Sequence, residues 1–143
     1  MIRLTRRYHF SASHRLHSPL LSEEANDAIY GKCNNPFGHG HNYEVEVTVS
    51  GEVDRNTGRV VDLTSLDGLV RKHVIDAFEH RNLNLEVAEF QRVVPTTENL
   101  GVIVEARLLA RWREAFPGGV PALQRIRIYE TERNIFEVEA TKS

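Results

Sequence analysis

Residues 41–53, HNYEVEVTVSGEV, alternate with a period of two. Tyr43, Val45, Val47, Val49 and Val53 fall on one side, and Glu44, Glu46, Thr48, Ser50 and Glu52 on the other. Successive side chains of a strand point to opposite faces, so this run predicts a strand with one apolar face. Residues 2–13 repeat the pattern, setting Ile2, Leu4, Tyr8, Phe10 and Ala12 against Arg3, Thr5, Arg7, His9 and Ser11. Between the two runs, residues 17–38 read as a long irregular loop. In a compact domain a loop of that length is usually functional or disordered.

Further along, DRNTGR (54–59) is a turn, and a helix starts near Asp62 or Thr64. Leu66, Leu69, Val70, Val74, Ala77 and Phe78 recur on it at helical spacing. Residues 79–95 form a second long connection, ended by Pro95. Thr96 or Thr97 can cap a second helix, with Glu98 in its first turn where the macrodipole favours an acid. Leu100, Ile103, Val104, Leu108 and Trp112 mark the buried stripe of that helix, and FPGG (116–119) stops it. Two strands, LQRIRIYET (123–131) and IFEVEA (135–140), close the chain around a turn at Glu132-Arg133-Asn134. The order ββααββ predicts an α+β fold: a four-stranded antiparallel sheet with two helices on one face. No repeat or linker interrupts it, so residues 1–143 read as one domain.

Composition narrows the function classes. The 143 residues are 41% hydrophobic and 27% charged with a net charge of −2, so no concentrated basic surface points to nucleic acid. No apolar run approaches the roughly 18 residues of a membrane span, and MIRLTRRYHF has no apolar stretch of signal-peptide length behind its basic residues. The lone cysteine, Cys33, cannot form an intrachain disulfide, and a reducing cytoplasm is the expected compartment.

The strand parity carries chemistry. His39 and His41 are two apart at the mouth of the second strand, on the face of Tyr43, Val45 and Val47. His14 shares its parity with Tyr8, Phe10 and Ala12 at the far end of the first. If the two strands pair as an antiparallel hairpin, all three imidazoles converge, as a zinc site requires. Cys33, six residues before His39, completes a closed site or stands beside an open one; spacing leaves both readings standing. A thiol near a dication has a lowered pKa and can accept a proton. Glu130 shares the side of Ile126 and Ile128. It either reaches solvent from the strand end or anchors a ligand that offers paired N–H donors. Glu79-His80 sets an acid beside a base. His9, His17 and His73 read as surface or packing histidines.

Taken together, FSASHRL (10–16), GKCNNPFGHGHNY (31–43), EHRNLN (79–84), PTTEN (95–99) and YETERN (129–134) resemble the 6-pyruvoyl-tetrahydropterin synthase family almost end to end. The related 6-carboxy-tetrahydropterin synthases of queuosine biosynthesis share the HGH element. The five residues between Cys33 and His39 are more similar to the pyruvoyl branch.

The resemblance implies a tunnelling fold and the conversion of 7,8-dihydroneopterin triphosphate to 6-pyruvoyl-tetrahydropterin. Triphosphate is eliminated with internal redox, so the chain would act as a carbon–oxygen lyase on a small pterin triphosphate. His14, His39 and His41 would bind one Zn2+ per subunit, and Cys33 would be the proton acceptor rather than a ligand. Glu79 and His80 would form a second acid–base group, and Glu130 would hold the amino-pyrimidine edge of the pterin. Thr96 and Thr97 would contribute to that pocket. The family usually carries Asp-His where this chain has Glu79-His80, so the carboxylate here stands one methylene further out. The resemblance also implies that three subunits close a twelve-stranded barrel and two trimers stack as a homohexamer, with active sites between subunits. The carboxy-pterin synthase and a non-catalytic, zinc-stabilised pterin binder are the competing expectations.

Overall fold

The computed structural model describes residues 1–140. Strand β1 (Ile2–His14) and strand β2 (His39–Gly51) pair antiparallel without interruption, from Ile2 opposite Gly51 to His14 opposite His39. Their period-two pattern is realised along the pairing, but Ile2 at its open end and Val53 beyond β2 are exposed. Tyr8, Phe10 and Ala12 of β1 and Tyr43, Val45, Val47 and Val49 of β2 are buried on one face. Glu46, Thr48 and Ser50 on the other face are buried too. β2 is the central strand, and its neighbours fold over it. The Glu46 carboxylate accepts from Arg7 Nε at 2.9 Å and from the Tyr129 hydroxyl at 3.1 Å. The Thr5 and Thr48 hydroxyls lie 2.8 Å apart, and Ser50 donates to Gln124 at 2.7 Å.

Helix α1 (Glu23–Tyr30) and a 3-10 turn (Gly31–Asn34) occupy the segment expected to be irregular. Ser22 caps α1 and Glu23 and Glu24 fill its first turn, but its one buried residue is Asn26. A helix whose inward side is polar gives no apolar stripe to read. The Asn26 side chain instead satisfies the backbone of Ser18, Leu21 and Ser22.

Helix α2 (63–78) starts at the Asp62 cap, whose carboxylate accepts from Thr64 N–H at 3.1 Å. It is α-helical over Leu63–Val70 and Asp76–Phe78 and π-helical over Arg71–Ile75, and Val74 and Ile75 are both buried. Helix α4 (Thr97–Ala115) is capped by Thr96, which accepts from Asn99 N–H, and ends at Phe116 of FPGG. Leu100, Ile103, Val104, Leu108 and Trp112 are buried along it. Gly101 lets α4 approach the sheet closely, because a Cβ there would lie 2.8 Å from Val138 Cγ2.

Strand β4 (Ala122–Tyr129) pairs with β2 and strand β5 (Ile135–Glu139) with β4, both antiparallel. The sheet departs from the sequence expectation at its other edge. Strand β3 (Arg81–Asn82) runs parallel to β1, giving a mixed five-stranded sheet in the order β3-β1-β2-β4-β5 rather than four antiparallel strands. The cause is a backbone bond from His80 N–H to Ser11 O, at 2.6 Å, that lays the chain along the β1 edge for two residues. A strand that short has no periodicity to detect. The short helix α3 (Leu83–Glu86) and a 3-10 turn (Ala88–Gln91) complete this connection.

Candidate active site

The register of the hairpin brings three imidazoles together. His14 ends β1 directly opposite His39, which begins β2, and His41 stands opposite Ala12. Gly38, at φ +74°, turns the chain into β2; a Cβ there would press to 3.2 Å from the His14 carbonyl. The ring centroids lie 4.7 Å apart for His14–His39, 5.0 Å for His14–His41 and 4.7 Å for His39–His41. One nitrogen from each lies within 4.8 Å of the others, and among the described residues these three form a group able to hold a metal.

The chemistry of the three donors fits a metal such as zinc. His14 is 1% exposed, and its Nδ1 donates to the Pro95 carbonyl at 2.8 Å, which leaves Nε2 as a free lone pair. That Nε2 lies 3.2 Å from His39 Nε2. Burial pushes the His14 imidazole down to about 4 and that of His41 below its ordinary value, so both are neutral and able to ligate. His41 Nε2 is buried with no hydrogen-bond partner among the described residues. An orphaned buried nitrogen is costly, and a cation between the three rings would satisfy it.

Glu130 falls one residue beyond the end of β4, where its N–H donates to Asn134 O at 3.2 Å. Its carboxylate accepts a hydrogen bond from the hydroxyl of Thr97, which is 2% exposed. Its negative charge acts on His14 and His41, opposing the lowering of both. Thr96 serves as the α4 cap, its hydroxyl oxygen accepting from Asn99 N–H at 3.2 Å. Residues 94–99 thus orient a histidine through Pro95, cap a helix through Thr96 and hold a carboxylate through Thr97. Asn99 fixes this segment, with Nδ2 donating to Val94 O at 2.7 Å.

Cys33 is half-buried on the 3-10 turn and lies outside the histidine group. Its carbonyl accepts from Leu16 N–H at 2.8 Å, and the next carbonyl, of Asn34, accepts from Arg15 Nε at 3.0 Å. His17 Nδ1 meets Asn34 Oδ1 at 3.1 Å, and Asn34 Nδ2 donates to Asp27 at 2.8 Å. His17, with no role in the sequence reading, therefore pins the residue next to Cys33. Tyr43, also missed, is buried with its hydroxyl 3.4 Å from His14 Nδ1. Burial chiefly raises its pKa, and the charges of Glu130 and Cys33 add to that. Its parity with His39 and His41 was the available signal.

Glu79 and His80 stand apart from the three rings. Glu79 Oε1 lies 3.1 Å from His80 Nε2 and accepts from Ser11 N–H at 3.2 Å. The His80 side chain is 81% exposed, and its backbone adopts φ +57°. A groove of about 290 Å³ runs from His80 past Ser11 and Asn42 to His41.

The 6-pyruvoyl tetrahydropterin synthase family profile matches residues 3–141. The 6-pyruvoyl tetrahydrobiopterin synthase of Poecilia reticulata is 48% identical over 132 residues, covering 92% of this chain and 86% of the relative. The Homo sapiens enzyme of the same name is 46% identical over 132 residues, covering 92% and 87%. The structure of Caenorhabditis elegans 6-pyruvoyl tetrahydropterin synthase superposes with a TM-score of 0.88 at 38% identity, covering 98% of this chain and 96% of the other. By a match across nearly its whole length, and by relatives at this identity, the chain belongs to the 6-pyruvoyl tetrahydropterin synthase family.

Proposed function

We propose that this protein converts 7,8-dihydroneopterin triphosphate to 6-pyruvoyl-tetrahydropterin, acting as a carbon–oxygen lyase that releases triphosphate. The observation that carries the reading is the buried, partnerless Nε2 of His41 facing His14 and His39, in a chain of this family. The redox change is internal: the side chain is oxidised as the pterin ring is reduced, so no external electron carrier is needed.

His14, His39 and His41 would hold one Zn2+, which when bound supplies Lewis acidity to the substrate's side-chain hydroxyls. Cys33 takes a proton from the substrate, on a turn tied to the strand end of His14 through Leu16 and Arg15. Glu79 orients His80, which moves protons at another face of the substrate. The carboxylate of Glu130, steadied by Thr97, accepts the paired N–H donors of the amino-pyrimidine edge. Thr96 caps the helix that carries Thr97 and contributes with it to the pterin pocket.

The assembly belongs to the same reading. Among the described residues the five-residue strand β5 leaves one edge of the sheet unpaired, and β3 covers two residues of the other. Open edges favour strand addition from further copies, and three copies would contribute twelve long strands to a closed barrel, two such trimers making a homohexamer. His80, exposed on its own chain, would then serve a neighbour's metal site. Among the described residues no helix is long and apolar enough to cross a membrane, and we place the enzyme in the cytoplasm.

The test is to incubate the zinc-loaded protein with 7,8-dihydroneopterin triphosphate and identify the products by mass. Triphosphate with the 6-pyruvoyl compound is expected. Acetaldehyde with a 6-carboxy pterin would move the chain to the other branch, and bound but unchanged substrate would remove the activity altogether.

A further inference from the structure

One guanidinium on α4 holds both flanks of the excursion that carries Glu79 and His80. Arg107 Nε and Nη2 each donate to the Glu89 carboxylate at 2.6 Å, a two-pronged pair. Its Nη1 donates to the His73 carbonyl at 3.3 Å, inside the π-helical turn of α2. Its Cζ lies 5.0 Å from the ring centroid of Phe78, the fully buried residue just before Glu79. His73 and Phe78 precede the acid–base pair and Glu89 follows it, so a single side chain clamps the segment at entry and exit.

His80 needs such a clamp. Its side chain is mostly solvent-exposed and its backbone is left-handed, a conformation costly for any residue with a Cβ. Such a conformation persists where the surroundings over-determine it. The local tethers are the Glu79 N–H bond to Ile75 O at 2.8 Å and two contacts to the Ser11 backbone. The π-helical turn adds a second sensitivity: a turn with one extra residue changes the direction in which everything after it emerges, and Arg107 bonds a carbonyl within that turn.

We propose that Arg107 is a positioning residue for the acid–base pair, acting through Phe78 and His73 on one side and Glu89 on the other. The proposal rests on the reading of His80 as an acid–base group given above. A guanidinium suits the task because its planar fork meets a carboxylate with two parallel bonds while its face lies over an aromatic ring. A lysine keeps the charge and loses both.

The experiment is a double-mutant cycle on the zinc-loaded protein with 7,8-dihydroneopterin triphosphate as substrate. Steady-state kinetics are run alongside zinc affinity, read by competition with a chelating indicator. Arg107→Lys should lower kcat about tenfold or more, with KM and zinc affinity unchanged. In a His80→Ala background the same substitution should leave the residual kcat unmoved. Losses that simply multiply in the double variant, or an unchanged kcat in folded Arg107→Lys, would overturn the proposal while leaving the assigned reaction intact. Where Arg107→Lys does not fold, Glu89→Gln removes one charged prong at nearly constant shape and must show the same dependence on His80. Wild-type protein that makes no 6-pyruvoyl product, or His80→Ala with full activity, would overturn the underlying reading and this proposal together.

Discussion

The two halves of the candidate site are built on opposite principles. The histidine group sits at the closed end of an uninterrupted thirteen-residue pairing, where register alone brings His14 opposite His39. Each ring contacts the other two, and a carbonyl fixes the most buried of them. Glu79 and His80 lie on a sheet edge, in irregular backbone, with the imidazole largely in solvent. The histidine group is therefore preorganised by the sheet, whereas Glu79 and His80 hang from the chain by bonds to the backbone of Ser11 and Ile75.

The largest effect should come from testing that division at the metal. His41→Ala removes the nitrogen that lacks a hydrogen-bond partner among the described residues and should abolish zinc retention through dialysis against a chelator. His80→Ala, under the same treatment, should retain a full complement. Equal metal loss in both variants would break the comparison.

Next in size is Cys33→Ala. With three histidine donors grouped without the thiol, this variant should keep its zinc while product formation falls about 10²- to 10⁴-fold, the range for losing a general acid or base. A metal content that falls together with activity would move Cys33 back among the ligands.

The same contrast explains what could be read from the sequence. Period-two alternation in residues 2–13 and 41–53 located β1 and β2, and pairing them brought His14 to His39 and His41. The apolar stripes of α2 and α4 were equally plain, while their starts were open between Asp62 and Thr64 and between Thr96 and Thr97; Asp62 and Thr96 are the caps. Three kinds of feature were not. α1 hides because its buried residue is Asn26, which satisfies loop backbone instead of packing in the apolar core. β3 hides because two residues carry no period. Pro95 hides because it acts through its carbonyl, a group every residue shares. Glu130 was left open between reaching solvent from the strand end and anchoring a ligand; it lies just past the end of β4, and its charge acts on His14 and His41.

A smaller effect should come from the link between the halves of the metal half itself. Asn99 holds Val94 O, one residue before the carbonyl that orients His14. Asn99→Ala should weaken zinc binding about tenfold, at the low end of the range for losing an outer-shell partner. Indicator competition measures it directly. Unchanged affinity would show that Pro95 holds its place without this support.

The smallest effect lies in the Arg107–Glu89 pair, and it has a sign fixed by linkage. The hydrogen bond from Arg107 is the main cause holding the Glu89 carboxyl below its ordinary value of 4.5, against a smaller opposing push from burial. With the folded value depressed, the unfolded chain binds more protons between the two values. The stabilisation is therefore present above about 4.5 and lost as pH falls through the lower, folded value. The Glu89 side chain is 36% exposed, so solvent screens the pair and its contribution stays under about 1 kcal/mol. In melting curves recorded from neutral pH downward, wild type should exceed Glu89→Gln by a small constant margin, and the two should converge below pH 4.5. Zinc affinity should be the same in both at every pH, because Arg107 bonds to Glu89 and to the His73 carbonyl while the group able to hold the metal is His14, His39 and His41. A margin that widens on acidification would contradict the sign. A zinc affinity that follows the Glu89 substitution would mean that the two halves are mechanically one.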